Sequence, residues 1–180
     1  MRNPAILVVA LLVGGLAPRA AFARDATSHP FGFGLVVGEP TGLTAKLYLS
    51  QPFALQFGAG FVDNFDGEDG FHTNVDVLWH PAIIARSADI TVPFYLGVGG
   101  RIFDHSYDYV AMGTRYVDHD TRLGVRVPFG LLMDFNKVPL DVYFELALVV
   151  DLIYFDETVG PFGNRDRAGF QGGIGLRYYF

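Results

Sequence analysis

Cysteine is missing altogether from the 180 residues. Its absence excludes a disulfide framework and a lipid-anchoring cysteine at the start of a mature chain. An excess of basic residues is missing too. Thirteen Lys and Arg against nineteen Asp and Glu leave a net charge of -6, with a pI near 5.2, which argues against a nucleic-acid partner. After residue 23 there is no long uninterrupted apolar run, although the chain is 51% hydrophobic and its mean hydropathy is +0.29. The stretch 138–154 comes closest, and Asp141, Glu145 and Asp151 break it at odd-numbered positions. A helix would scatter those three carboxylates around its circumference, whereas a strand places them all on one face.

What is present begins with a leader-like N-terminus. Met1-Arg2-Asn3-Pro4 is a short basic start, residues 5–16 are apolar, and Ala21-Phe22-Ala23 supplies an A-x-A cleavage site. This layout reads as a secretory signal peptide over 1–23, too short in its apolar run to span a bilayer. Residues 24–180 then form one domain by length.

Eight alternating segments are predicted as strands: 31–37, 43–50, 53–62, 71–80, 90–103, 122–135, 139–153 and 168–180. Gly, Pro and Asn mark tight connections at 38–42, 51–52 and 136–137. No stretch after residue 23 has a helical period. High hydrophobicity delivered in alternating segments of about ten residues is the pattern of a transmembrane β-barrel. The fold class expected is therefore all-β, an eight-stranded antiparallel up-and-down transmembrane barrel. With both ends on the periplasmic side, the connections at 51–52, 81–89 and 136–138 become periplasmic turns. Those at 38–42, 63–70, 104–121 and 154–167 become extracellular loops.

Bulk orients the faces. One face carries Phe31, Phe33, Leu35, Leu47, Phe57, Phe61, Val77, Trp79, Leu96, Phe129, Phe144, Leu146, Leu148, Ile174 and Leu176. An eight-stranded barrel is only wide enough for side chains to fill it, so these large groups point outward, which disfavours a soluble barrel. Outer aromatics near strand ends fit interfacial girdles: Phe31, Phe53, Trp79, Phe94, Phe135 and Phe180 at one rim, Phe61, Phe71 and Phe103 at the other. The opposite face mixes glycines with Lys46, Asp76, Arg101, Arg122, Arg126, Asp134, Asp141, Glu145, Asp151 and Arg177, plus Gln56, Asn74 and Tyr95. If the Asn136-Lys137 turn pairs Phe135 with Val138, Arg122 falls opposite Asp151 and Arg126 comes diagonally near Glu145. Buried charges must be paired, so the predicted lumen is a salt-bridge plug in preference to an ion path.

Sites of chemistry are sparse. Asp104, His105 and Asp108 with Asp118, His119 and Asp120 bracket the third outer loop, without any recognised metal spacing. Asp63, Asp66, Glu68, Asp69, Asp156, Glu157 and Asp166 make the other outer loops acidic, against Arg115, Arg165 and Arg167. Beside anionic lipopolysaccharide, such loops call for bridging divalent cations or those arginines. His105-Ser106 resembles the His-Ser pair of outer-membrane lipid A deacylases, yet no matching carboxylate motif accompanies it. The reading is no catalytic residue, no metal site and no cofactor.

The terminal segment 170–180 alternates strictly. Ile174, Leu176, Tyr178 and Phe180 fall on one face, and Gln171, Gly173, Gly175, Arg177 and Tyr179 on the other. It resembles the last strand of bacterial outer-membrane barrels, which end in Phe after alternate apolar residues. Signal peptide, eight strands, short inner turns, long outer loops and terminal Phe180 together resemble the OmpA/OmpX-type small outer-membrane barrels. The resemblance implies a monomer with a plugged lumen, acting structurally or through its loops in adhesion, ligand contact or envelope integrity. It further implies contact with outer-membrane lipid and lipopolysaccharide, and with the barrel-assembly machinery through the C-terminal strand. A small transport pore or a lipid-modifying enzyme is the alternative. The chain ends at the barrel, so the cell-wall tether of full OmpA-type proteins is not part of the inference.

Overall fold

The structure is a computed structural model that describes residues 29–63, 69–111, 114–155 and 168–180, apart from the side chains of 63, 69 and 106–120. The strands are β1 (Phe31–Gly38), β2 (Thr41–Ser50), β3 (Phe53–Asp63), β4 (Asp69–Arg86), β5 (Ile90–Ala111), β6 (Thr114–Phe135), β7 (Leu140–Phe155) and β8 (Ala168–Tyr179). Each is antiparallel to the next, and β8 returns to β1, so the sheet closes into a ring in sequence order. Closure leaves no open edge along the shared height of the wall, which answers the aggregation hazard of a terminal apolar strand. Residues 1–23, 64–68 and 156–167 lie outside the described residues, and with them the expected signal peptide and two of the acidic loops.

The alternation along each strand sets which face is buried. In β7 the odd positions Asp141, Tyr143, Glu145, Ala147 and Val149 are buried inside the ring, while Phe144, Leu146 and Leu148 are exposed outside it. Exposed apolar side chains recur on every other strand, as Phe33, Leu43, Phe57, Val77, Val98, Phe129 and Leu176 illustrate. The start of β1 at Phe31 and Phe180 beyond β8 meet at one rim, where the Phe180 amide donates to the Phe31 carbonyl. That rim is called the near end below.

Four expectations about extent and register are corrected. Positions 104–121 are not a loop: β5 and β6 run on as a paired ribbon, from His105 opposite Asp120 to Ala111 opposite Thr114. Backbone ladders are indifferent to side-chain polarity in water, so a strand that leaves an apolar layer loses its hydropathy signal without losing its hydrogen bonds. Of the turn expected at 81–89, only 87–89 remains, because β4 continues through two register shifts to Arg86. The loop at 38–42 is shorter than expected as well, since β1 reaches Gly38 and β2 begins at Thr41.

The fourth correction concerns β6 and β7, which pair Asp134 with Asp141 and place Gly124, not Arg122, opposite Asp151. Asn136 explains the shift. Its amide donates to the Asp89 carbonyl at 2.9 Å, its Nδ2 to the Ser87 carbonyl at 3.1 Å, and its Oδ1 accepts from the Thr91 hydroxyl at 3.0 Å. Asn136 therefore latches this connection onto the neighbouring β4–β5 turn, and the hairpin opens wider than a two-residue turn.

The far rim is slanted. β1 and β2 stop at the Gly38–Thr41 connection, whereas β5 and β6 continue to Ala111 and Thr114. The wall is thus lowest at β1 and β2 and tallest across the ring.

Candidate functional site: the luminal network

Among the described residues, ten charged side chains point into the ring. Lys46, Asp76, Arg122, Arg126, Asp134, Asp141, Glu145, Asp151 and Arg177 are buried, and Arg101 is nearly so. Charges taken out of water must find partners with good geometry, and a continuous chain of them crosses the lumen. Tyr179 donates to Asp141 at 2.6 Å, and Arg177 Nε donates to the same carboxylate at 3.0 Å. Arg177 Nη1 donates to Gln56 Oε1 at 2.7 Å, and Gln56 Nε2 donates to Glu145 Oε2 at 2.7 Å. Arg126 bonds Glu145 Oε1 at 2.5 Å and lies 3.5 Å from Asp76, whose Oδ2 accepts from Asn74 at 2.7 Å. Gln56 belongs to β3 and Glu145 to β7, which stand diametrically opposite in an eight-membered ring. One amide hydrogen bond thus spans the whole bore.

Three partnerships join residues two strands apart, with a glycine on the strand between. Asp76 and Arg126 flank Gly99, which is in register with both. Arg101 and Asp151 flank Gly124 and make a two-pronged pair at 2.9 and 2.7 Å. Tyr95 and Glu145 flank Gly130 and are bonded at 2.9 Å. The wall of so narrow a barrel curves sharply, so inward groups on alternate strands converge, and the middle strand must contribute no bulk. A Cβ on Gly124 would stand 2.5 Å from Asp151 Oδ1, and one on Gly130 would stand 2.7 Å from the Tyr95 hydroxyl. Glycine is thus required here for space.

The near end is packed with rings. The Lys46 ammonium lies 4.8 Å from the Tyr48 ring centroid and 5.4 Å from that of Tyr95, and 2.8 Å from His80 Nε2. His80 Nδ1 is 2.9 Å from the Pro52 carbonyl. A carbonyl only accepts, so Nδ1 carries the proton and Nε2 accepts from Lys46. His80 is therefore a buried luminal partner of Lys46. Tyr48, Tyr179, His80 and Tyr95 stand in ring contact at 5.6 to 6.0 Å.

Toward the far end, Phe103 is a further correction. Expected on the outer girdle, it is buried inside, beneath Arg101 and Arg122 at 5.5 and 5.6 Å. Strict alternation from Arg101 requires this. Arg122 also covers Tyr154 at 5.6 Å, and His105 stacks on Phe103 with centroids 6.2 Å apart. His105 and Ser106 lie in β5. The side chains of Ser106, Asp108, Arg115, Asp118, His119 and Asp120 lie outside the described residues. So do Asp66, Glu68, Asp156, Glu157, Arg165, Asp166 and Arg167, and the side chains of Asp63 and Asp69.

The inward tyrosines carry a signal that charge alone hides. Tyr95, Tyr143 and Tyr179 share the parity of the luminal charges, and each is buried against them. The Arg177 guanidinium, for example, lies 4.1 Å above the Tyr143 ring. On β8 and just beyond it the outward set is Ile174, Leu176, Tyr178 and Phe180, all exposed.

No family model and no curated protein matches the chain. Among solved structures, the N-terminal β-barrel domain of Pseudomonas aeruginosa OprF is similar, at 14% identity and a TM-score of 0.48, over 83% of this chain and 94% of that domain.

Proposed function

We propose that the chain is an integral outer-membrane β-barrel whose lumen is plugged by its own charges. On this reading it serves the envelope structurally or through its extracellular end. The observation that carries the reading is the inversion of polarity. Bulky apolar side chains cover the outside of every strand, and the buried charged groups point inside. Such a surface is unstable in water and matches the hydrocarbon layer of a bilayer. The near end is then periplasmic, the Trp79 and Phe180 levels lie at the inner interface, and the β5–β6 ribbon rises outward.

The bond from Gln56 to Glu145 across the bore supports a plug over a pore. Of the two roles in the reading, recognition draws support from the tall ribbon and the acidic loops, with divalent cations bridging them to lipopolysaccharide. Export under a cleaved leader, assembly through Ile174, Leu176, Tyr178 and Phe180, and a monomeric state belong to the same proposal. No catalytic group is part of it. Reconstituted protein should migrate faster on gels unheated than boiled and should leave a planar bilayer electrically silent. A stable open conductance would overturn the plug, and turnover of lipid A by the wild-type protein would overturn the non-enzymatic reading.

A further inference from the structure

The luminal cations are not all held alike. Arg101, Arg126 and Arg177 each bond a carboxylate. Lys46, wholly buried on β2, bonds none among the described residues. Its ammonium donates to His80 Nε2 at 2.8 Å and lies over the Tyr48 and Tyr95 rings. His80 is fixed from its other side. Its backbone amide and its ring Nδ1 both donate to the Pro52 carbonyl, at 3.0 and 2.9 Å. With Nδ1 protonated, the Nε2 lone pair is the acceptor that the ring has left, and Lys46 occupies it. The pair therefore holds one positive charge between two basic groups.

The same imidazole is a joint of the near end. Its ring contacts Tyr48 at 5.6 Å and Tyr95 at 5.8 Å, and Tyr48 contacts Tyr179 at 6.0 Å. Through these rings β2, β4, β5 and β8 are packed together where the bore closes. The other charged groups around the pair are Asp134 on β6, Asp141 and Glu145 on β7, and Arg177 on β8. Asp141 is bonded by Arg177 and Tyr179, and Glu145 by Arg126, Gln56 and Tyr95. Lys46 and Arg177 already balance Asp134 and Asp141, and neutral phenols offset no further charge. A proton added at Nε2 would set two buried cations 2.8 Å apart, a like-charge contact that the absence of water makes severe.

We infer that the Lys46–His80 contact is an acid-released lock on the near end of the barrel. The closed end admits one proton to the pair. The opened end, where water reaches the imidazole, admits a second. Acid therefore favours the open end by linkage. An imidazole in water takes its proton near pH 6.5, so the open fraction should rise about tenfold between about pH 7.5 and about pH 5.5. The Gln56–Glu145 layer farther up the bore contains no histidine and stays shut. The lock acts alike whichever compartment the near end faces.

Amide hydrogen exchange, followed by NMR on the full chain in detergent micelles, tests the lock. The probes are the Tyr48 and His80 amides, which donate to the Pro30 and Pro52 carbonyls at the near end. Corrected for the intrinsic effect of pH, both should exchange about tenfold faster at about pH 5.5 than at about pH 7.5, while the Arg126 amide should keep its rate. His80→Gln keeps an acceptor for Lys46 and does not titrate, so its near-end amides should exchange at one rate at both pH values. Lys46→Met removes the second cation and should show a smaller rise than the wild type. No rise in the wild type would overturn the lock, and so would a rise as large as the wild type's in either variant.

Discussion

Arg177 shows how much of this molecule is decided one side chain at a time. It is fully buried, and its guanidinium is held by Asp141, Gln56 and the Tyr143 face at once. Removing one member of such a pair strands the other charge, so Arg177→Met should lower unfolding stability by about 3–5 kcal/mol, and the double variant with Asp141→Leu should recover most of it. The fluorescence of Trp79, the single tryptophan, followed through urea unfolding in lipid vesicles, reads both. Glycine supplies the companion case. Gly124→Ala drives a methyl into Asp151 and should cost about 1–3 kcal/mol. Gly100→Ala faces outward, with no atom nearer than 3.9 Å, and should stay within about 0.5 kcal/mol of the parent. Equal losses in the two would refute the spacing role given to Gly124. The identity of the luminal residues was legible in the sequence, because parity alone assigns Lys46, Asp76 and Arg177 to one face. The pairing of Arg126 with Glu145 was legible too, but that of Arg101 with Asp151 was not, because it reaches over Gly124 and no neighbouring-strand rule anticipates a contact two strands away.

At the level of elements, β8 and the β6–β7 connection mark opposite limits of what a pattern reveals. β8 could be read to within a residue, since strict alternation, a terminal aromatic and inward glycines all agree. The register of β6 on β7 could not, because Asn136 spends its hydrogen bonds on Ser87, Asp89 and Thr91 of another turn, a tertiary event invisible locally. Asn136→Ala should release that latch and cost about 1–2 kcal/mol in the same urea titration. Lys137→Ala, whose ion pair with Asp89 is largely exposed, should cost well under about 1 kcal/mol. A Lys137→Ala loss as large as that of Asn136→Ala would contradict the latch. The far halves of β5 and β6 escaped the sequence reading for a related reason: their ladder continues where the apolar face that announces a strand has ended.

On the scale of the whole molecule, the same alternation that hides charge inside displays apolar bulk outside, and the account stands or falls on what touches that outer surface. Lysine at the outward position Leu146 should destabilise the bilayer-embedded barrel by about 2–4 kcal/mol, whereas in a water-soluble barrel it would be harmless. The most direct test is a nitroxide scan of β7 from Val142 to Leu148 in reconstituted vesicles. The account predicts a period of two: Val142, Phe144, Leu146 and Leu148 open to oxygen dissolved in lipid and closed to a bulky aqueous nickel chelate, with Tyr143, Glu145 and Ala147 closed to both. Nickel access at the even positions would place that face in water, and nickel access at the odd positions would mean that the lumen is an open channel.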